Sequence, residues 1–191
     1  MIYFVLKSLV MKFTIFFALG IIFWTFLEYN IHRFFGHKRK GNNIIKSEHL
    51  RHHREAHYFA PMYLKSIMAI IVIGSVGVMS YFMLPGWGAF GFTTGLSLMY
   101  LMYEITHRVY HVREPLLRYG LKMRKHHFYH HFKNPNVNHG VTVAFWDRVF
   151  GTFEPTRQTP IPVPKRLAMP WLIDQQSNSL RSDYERHFQM K

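Results

Sequence analysis

Charge-free stretches alternate with dense polar ones along this chain. Phe13–Leu27 carries no charge, and Leu9–Met11 extend the stretch beyond Lys12. Ser66–Leu84 is a second uncharged run. Pro85-Gly86 breaks it, and Gly86–Tyr103 forms a third. A bilayer core of about 30 Å takes roughly 20 apolar residues as helix, so each run is long enough to span. Three apolar helices in a soluble core would leave little polar surface to cover them. The pattern therefore predicts an all-α integral membrane protein with three to four transmembrane helices. A fourth would come from the amphipathic C-terminal segments or from splitting the first apolar region. Lys7 and Lys12 ahead of an apolar stretch resemble a signal peptide, but no small-residue cleavage site follows, so the expectation is a retained anchor.

The polar segments carry the charge, a formal +14. Arg33, Lys38, Arg39, Lys40, Lys46, Arg51, Arg54 and Lys65 follow the first run. Arg108, Arg113, Arg118, Lys122, Arg124, Lys125 and Lys133 follow the third. Such a charge could suggest nucleic acid, but its distribution fits a membrane protein better. The positive-inside rule puts both basic segments in the cytoplasm and the N-terminus outside, with part of the charge meeting anionic lipid headgroups. No nucleic-acid partner is expected. Residues 1–153 are read as the membrane and catalytic domain, and 154–191 as a Pro-rich connector and a short amphipathic tail.

The chain has no cysteine and fourteen histidines. Disulfides, thiolate zinc sites and iron–sulfur clusters are excluded, so any transition-metal site must use nitrogen and oxygen. The histidines fall into HRFFGH (His32, His37), HLRHHREAH (His49, His52, His53, His57), HRVYH (His107, His111) and HHFYHH (His126, His127, His130, His131). Helical residues three and four apart share a face. The two HxxHH triples, 49/52/53 and 127/130/131, are thus each expected to aim three rings to one side. His32 and His37 stand about 140° apart on an ideal helix. They are not expected to share one ion from a regular helix, but could reach two ions or straddle a helix end. Ten rings exceed one ion's coordination number, so two ions fit better. Neutral imidazole suits zinc, copper, iron and nickel. Metal-bound rings need partners on their other nitrogen, for which Glu28, Glu104, Asp147 and Asn138 are candidates. His57, His126 and His139 are candidate extra ligands or supporting groups. His187 lies in the tail and is read as solvated.

The order EYNIHRFFGH, HLRHH, EITHRVYH, HHFYHH and NHGVTVAFWDRVFGTF, over roughly residues 20–153, resembles the fatty acid hydroxylase/sterol desaturase superfamily of membrane dimetal oxygenases. The resemblance implies helical spans under a cytosolic histidine-rich cap holding a dinuclear site. It implies that His32, His37, His49, His52, His53, His107, His111, His127, His130 and His131 bind two metal ions. Two iron ions are expected, with O2 and external electrons; zinc can fill such a site in purified samples. The implied function is membrane-bound, O2-dependent hydroxylation of a fatty acyl C–H bond. The substrate would come from the bilayer, and a separate cytochrome b5-like or ferredoxin-like protein would supply electrons. His57 extends the second motif as in some sterol- and carotenoid-directed members. A sterol or carotenoid hydroxylase or desaturase is therefore the alternative, followed by a non-enzymatic metal-binding protein. A transporter is disfavoured because residues 66–103 hold no ionisable ligand. The expected location is a multi-pass membrane, with the active site on the cytoplasmic side.

Overall fold

The computed structural model describes residues 2–41, 43–157 and 160–191. It is mainly helical: α1 (Ile2–Asn30), a π-helical segment (Ile31–Lys38), α2 (Ile44–Arg54), α3 (Met62–Met83), α4 (Gly86–Val112), α5 (Arg118–Phe132) and α6 (Phe145–Val149). Two three-residue strands, β1 (Ile161–Val163) and β2 (Phe188–Met190), pair in parallel near the C-terminus. Each break has a local cause. Pro85 forces Leu84 out of the helical region and separates α3 from α4. The Asn43 side chain accepts a hydrogen bond from the Lys46 backbone N–H at 3.0 Å and caps α2.

The residues fall into two compact units. One holds the chain up to Leu27 with Ala60–Glu104; the other holds Glu28–Phe59 with Ile105–Lys191. Two helices are long and apolar enough to cross a membrane: Ile2–Lys38, taken as one continuous helix whose part up to Leu27 belongs to the first unit, and Met62–Met83, each with mean hydropathy 2.0. Phe4, Ile70 and Phe82 are among their outward-facing apolar side chains. The third expected span, α4, carries Gly88, Gly91, Gly95 and three hydroxyl residues at 93, 94 and 97, which dilute its hydropathy. These small residues let backbones meet, as in membrane helix pairs. A Cβ on Gly95 would lie 2.0 Å from the Phe17 carbonyl oxygen. Trp24 meets Tyr100 edge-on at 5.0 Å, the Ser80 and Thr93 hydroxyls lie 3.1 Å apart, and Lys65 pairs with Glu104.

The second unit has its own core, centred on α5. Phe128 is fully buried against Trp171 and Phe188, with ring centroids 6.2 and 6.1 Å away. The segment expected as an extended connector and amphipathic tail instead folds onto this helix, burying Ile161, Val163, Met169 and Leu172 completely. Arg124, 3% exposed, joins the pieces. Its guanidinium donates to the carbonyls of Arg113 (2.9 Å), Gly120 (3.2 Å) and Val109 (3.3 Å), and lies over the Tyr110 and Trp171 rings. The carbonyls of Val109 and Arg113 belong to the negative end of the α4 dipole, a favourable place for a buried cation.

Candidate metal centre

Ten imidazoles gather in the second unit as two groups of five. His32, His37, His49, His53 and His130 form the first; His52, His107, His111, His127 and His131 form the second. Within each, one ligand atom per residue lies within 4.8 Å of every other. The π-helical segment supplies one pair of the first group, contrary to the expectation for a regular helix. A π-helix closes its hydrogen bonds over five residues rather than four, so the five-residue spacing of His32 and His37 returns to nearly the same face. Gly36 lies beside them, where a Cβ would come within 3.0 Å of the His49 ring.

The triples also behave differently from the simple expectation. Within each triple, positions i+3 and i+4 diverge by 100° on an ideal helix, and each triple divides between the groups. In α2, His49 and His53 enter the first group and His52 the second; in α5, His127 and His131 enter the second and His130 the first. The result is reciprocal. Each group takes one i, i+4 pair from α2 or α5, a second pair from the π segment or α4, and a single ring from the triple that serves the other group.

The Nε2 of His49 lies 2.7, 2.9 and 3.0 Å from the Nε2 atoms of His37, His53 and His32. His37 Nε2 is in turn 2.9 Å from that of His130. A neutral imidazole carries at most one proton on Nε2, so one hydrogen cannot serve three such contacts. On His32 and His130 the proton is placed elsewhere. Their Nδ1 atoms face the carbonyls of His139 and Val137, the latter at 2.8 Å, and a carbonyl oxygen only accepts. Their Nε2 lone pairs therefore point at the other rings, an arrangement a cation stabilises. In the second group, His111 and His127 bring their Nε2 atoms to 3.0 Å, His52 Nδ1 donates to the Tyr58 carbonyl at 2.6 Å, and both nitrogens of His131 are buried without a hydrogen-bond partner among the described residues. Buried polar atoms left unbonded are costly, and a metal ion is the partner that suits them. The residues fit a metal in both groups.

Burial, reinforced by neighbouring imidazoles, holds His49, His127, His130 and His131 well below their ordinary pKa. His53 is pushed down to about 2 for the same reasons. Neutral rings are the form that binds metal.

The remaining candidates lie outside both groups. His57 is exposed. His126 turns away to Asp147, 3.0 Å from its Oδ2. His139 contributes its carbonyl to His32, while its own ring faces the Asn136 carbonyl at 3.2 Å. Glu104 pairs with Lys65, and the Glu28 carboxylate accepts from the backbone of Val141 and Thr142. Asn138, in the left-handed region at φ 58°, clamps Glu154 through both side-chain ends. The groups that support the rings include backbone carbonyls of Tyr58, Val137 and His139, which no residue type announces in a sequence.

With this geometry in view, comparison with known proteins is direct. The fatty acid hydroxylase family model matches residues 17–152, a span that contains all ten rings. The chain belongs to the fatty acid hydroxylase family. Its relatives include the fatty acid 2-hydroxylase of Mus musculus, 33% identical over 75% of this chain and 41% of that protein. The ceramide very long chain fatty acid hydroxylase SCS7 of Saccharomyces cerevisiae is 32% identical over 72% of this chain and 37% of its own length. The dihydroceramide fatty acyl 2-hydroxylase FAH1 of Arabidopsis thaliana is 32% identical, covering 75% and 62%. The chain thus spans about two fifths of the length of the mouse and yeast relatives it matches. Among solved structures, full-length scs7p, with only its hydroxylase domain visible, superposes with a TM-score of 0.61 at 25% identity, covering 78% of this chain and 64% of that one.

Proposed function

We propose that this protein hydroxylates a fatty acyl chain of a membrane lipid, using O2 and two metal ions, one in each histidine group, with iron as the active metal. The observation that carries the reading is the convergence of two five-imidazole groups in a single unit of a fatty acid hydroxylase family member. The names of the relatives point further, to the acyl chain of a ceramide or dihydroceramide attacked at carbon 2. His32, His37, His49, His53 and His130 would hold one ion, and His52, His107, His111, His127 and His131 the other. Bound ferrous iron supplies O2 activation and one-electron chemistry, which no side chain provides. Zinc, redox-inactive, would fill the site without supporting turnover.

The protein's own contribution is orientation and exclusion of water. Burial keeps the rings neutral, and the carbonyls of Tyr58, Val137 and His139 fix three of them through Nδ1. Phe59 packs 5.3 Å from His52 and 5.8 Å from His111, an apolar wall on the second group. Methylenes of an acyl chain are electronically alike, so the carbon attacked follows from where the lipid is held. On the π segment, Lys38 lies over Phe34 and Arg39 over Phe35, at 6.0 and 5.4 Å. Half-exposed rings under cations suit the headgroup region of anionic lipid. Hydroxylation consumes O2, two electrons and two protons and yields one water with the alcohol. A reductant is therefore a co-substrate, and a cytochrome b5-like or ferredoxin-like protein is the proposed donor. The histidine groups are assigned to the cytoplasmic side of a multi-pass membrane protein.

The test is reconstitution with ferrous iron, a reductant system and ¹⁸O2 in vesicles containing ceramide or phospholipid. One ¹⁸O atom in an acyl chain is the expected result. A metal-loaded chain that leaves every acyl lipid unlabelled overturns the proposal.

A further inference from the structure

The two histidine groups are supported by different stretches of backbone, and the stretch that serves the first is held by a pair of buried carboxylates. Asp147, in the first turn of α6, is completely buried. Its Oδ1 accepts from the His139 backbone N–H and the Thr152 hydroxyl, both at 2.8 Å. Its Oδ2 accepts from the Gly140 N–H at 2.8 Å and faces His126 Nε2 at 3.0 Å. Glu28, 4% exposed, continues the row: Oε1 accepts from the N–H groups of Val141 (2.6 Å) and Thr142 (2.9 Å), and Oε2 from the Thr142 hydroxyl. Four consecutive backbone donors, 139 to 142, are thus taken by two carboxylates, in a stretch with no regular secondary structure. A Cβ on Gly140 would collide with the Val143 carbonyl oxygen at 2.1 Å and crowd Asp147 Oδ2 at 3.0 Å, so the close approach of the carboxylate depends on glycine there.

This held strand of backbone faces one histidine group only. The carbonyl of residue 139 takes His32 Nδ1 and that of residue 137 takes His130 Nδ1. Both rings belong to the first group. In the second group the Tyr58 carbonyl holds His52 Nδ1 and His111 has a backbone partner at Ala56, but Nδ1 of His127 and His131 is buried with no hydrogen-bond partner among the described residues. Partners on the far nitrogen fix a ring's tautomer and direction and raise its basicity as a ligand.

We propose that Asp147 is a positioning residue for the first histidine group alone: by gripping the backbone at 139 and 140 it fixes the carbonyls that orient His32 and His130, and it makes this group the tighter of two unequal metal sites. The proposal rests on the metal-binding reading above and adds an order of affinity to it. Glu28 secures the far end of the same stretch.

The experiment uses the full chain in detergent micelles with zinc(II) as probe, measuring bound metal per chain and its loss to a competing chelator. Wild type is expected to hold two ions that leave at different chelator strengths. Asp147→Asn replaces an acceptor oxygen with an NH2 group that meets backbone donors, so the grip on 139 or 140 is lost. The affinity of the tighter ion should fall about 10- to 100-fold, the range for a lost supporting partner, while the weaker ion is unchanged and serves as a fold control. In a His127→Ala background, which disables the second group, Asp147→Asn should loosen the one remaining ion. In a His53→Ala background it should leave the remaining ion alone. Thr152→Val removes one donor to Asp147 with little change in volume. It should shift the same ion in the same direction by less, and it decides the matter should the asparagine variant fail to fold. Equal weakening of both ions, or no change in either, overturns the proposal. Failure of the wild type to hold any ion would instead sink the metal-binding reading on which it rests.

Discussion

Burial keeps the rings of both histidine groups neutral, so acid should disturb them. Burial is the main cause holding His139 at about 4 and His53 at about 2, and His49, His127, His130 and His131 are all depressed. In an unfolded chain these imidazoles titrate near ~6.5. Between that value and the folded-state values the unfolded chain binds more protons, so stability falls as pH drops. The metal-free protein should therefore be evenly stable above about pH 7 and lose stability progressively from about pH 6.5 toward about 4, where His139 protonates in the fold. Bound metal, which requires neutral rings, should be released over the same acid range. Thermal unfolding and metal content measured across pH check both. Stability that stays level or rises on acidification would show that the rings are not buried neutral in the folded protein.

At the level of the element, the π-helical turn brings His32 and His37 together in the first histidine group. A residue larger than glycine at 36 would press on the His49 ring from 3.0 Å, and His49 has three imidazoles already against its Nε2. Movement of that ring would disturb its contacts with the other three. Gly36→Ala should lower metal affinity at the first group by about tenfold, comparable to losing a supporting contact, with the second group unaffected; metal titration against a chelator reads this. Unchanged affinity would mean that the π segment shifts to absorb the methyl. The same turn marks where sequence reading stops. The histidine clusters and their division over four segments are legible in the spacing, and the apolar runs mark α1, α3 and α4. The spacing rules assume 3.6 residues per turn, so they set His32 and His37 apart and aimed each triple to one side, without showing that it divides between two groups. A π turn has no strong signature beyond the five-residue interval itself. The carbonyls that orient the rings are common to every residue. The C-terminal fold depends on long-range packing of Trp171 and Phe188 on Phe128, which local polarity does not reveal.

For the whole molecule, the site constrains the path of the chain through the bilayer. His32 follows the first apolar run and His107 the third, yet α2 and α5 each donate rings to both of their groups within one unit. In the proposed topology residues 32 and 107 lie on the same side of the membrane, the chain between them crosses an even number of times, and α3 and α4 are the two crossings. In that topology the basic segments 33–65 and 108–133 share that side, and the positive-inside rule assigns it to the cytoplasm. The absence of cysteine makes this measurable with single substitutions. Lys40→Cys and Arg113→Cys, both in exposed positions, should react with a membrane-impermeant maleimide only from the cytoplasmic face. Gly86→Cys, at the turn between α3 and α4 where a side chain has open space, should react only from the opposite face. Labelling of positions 40 and 113 from opposite faces would separate the halves of each histidine group by a bilayer, and no dimetal site could form. Labelling of 86 from the cytoplasmic face would instead leave the metal groups possible but turn α3 and α4 into helices that do not cross.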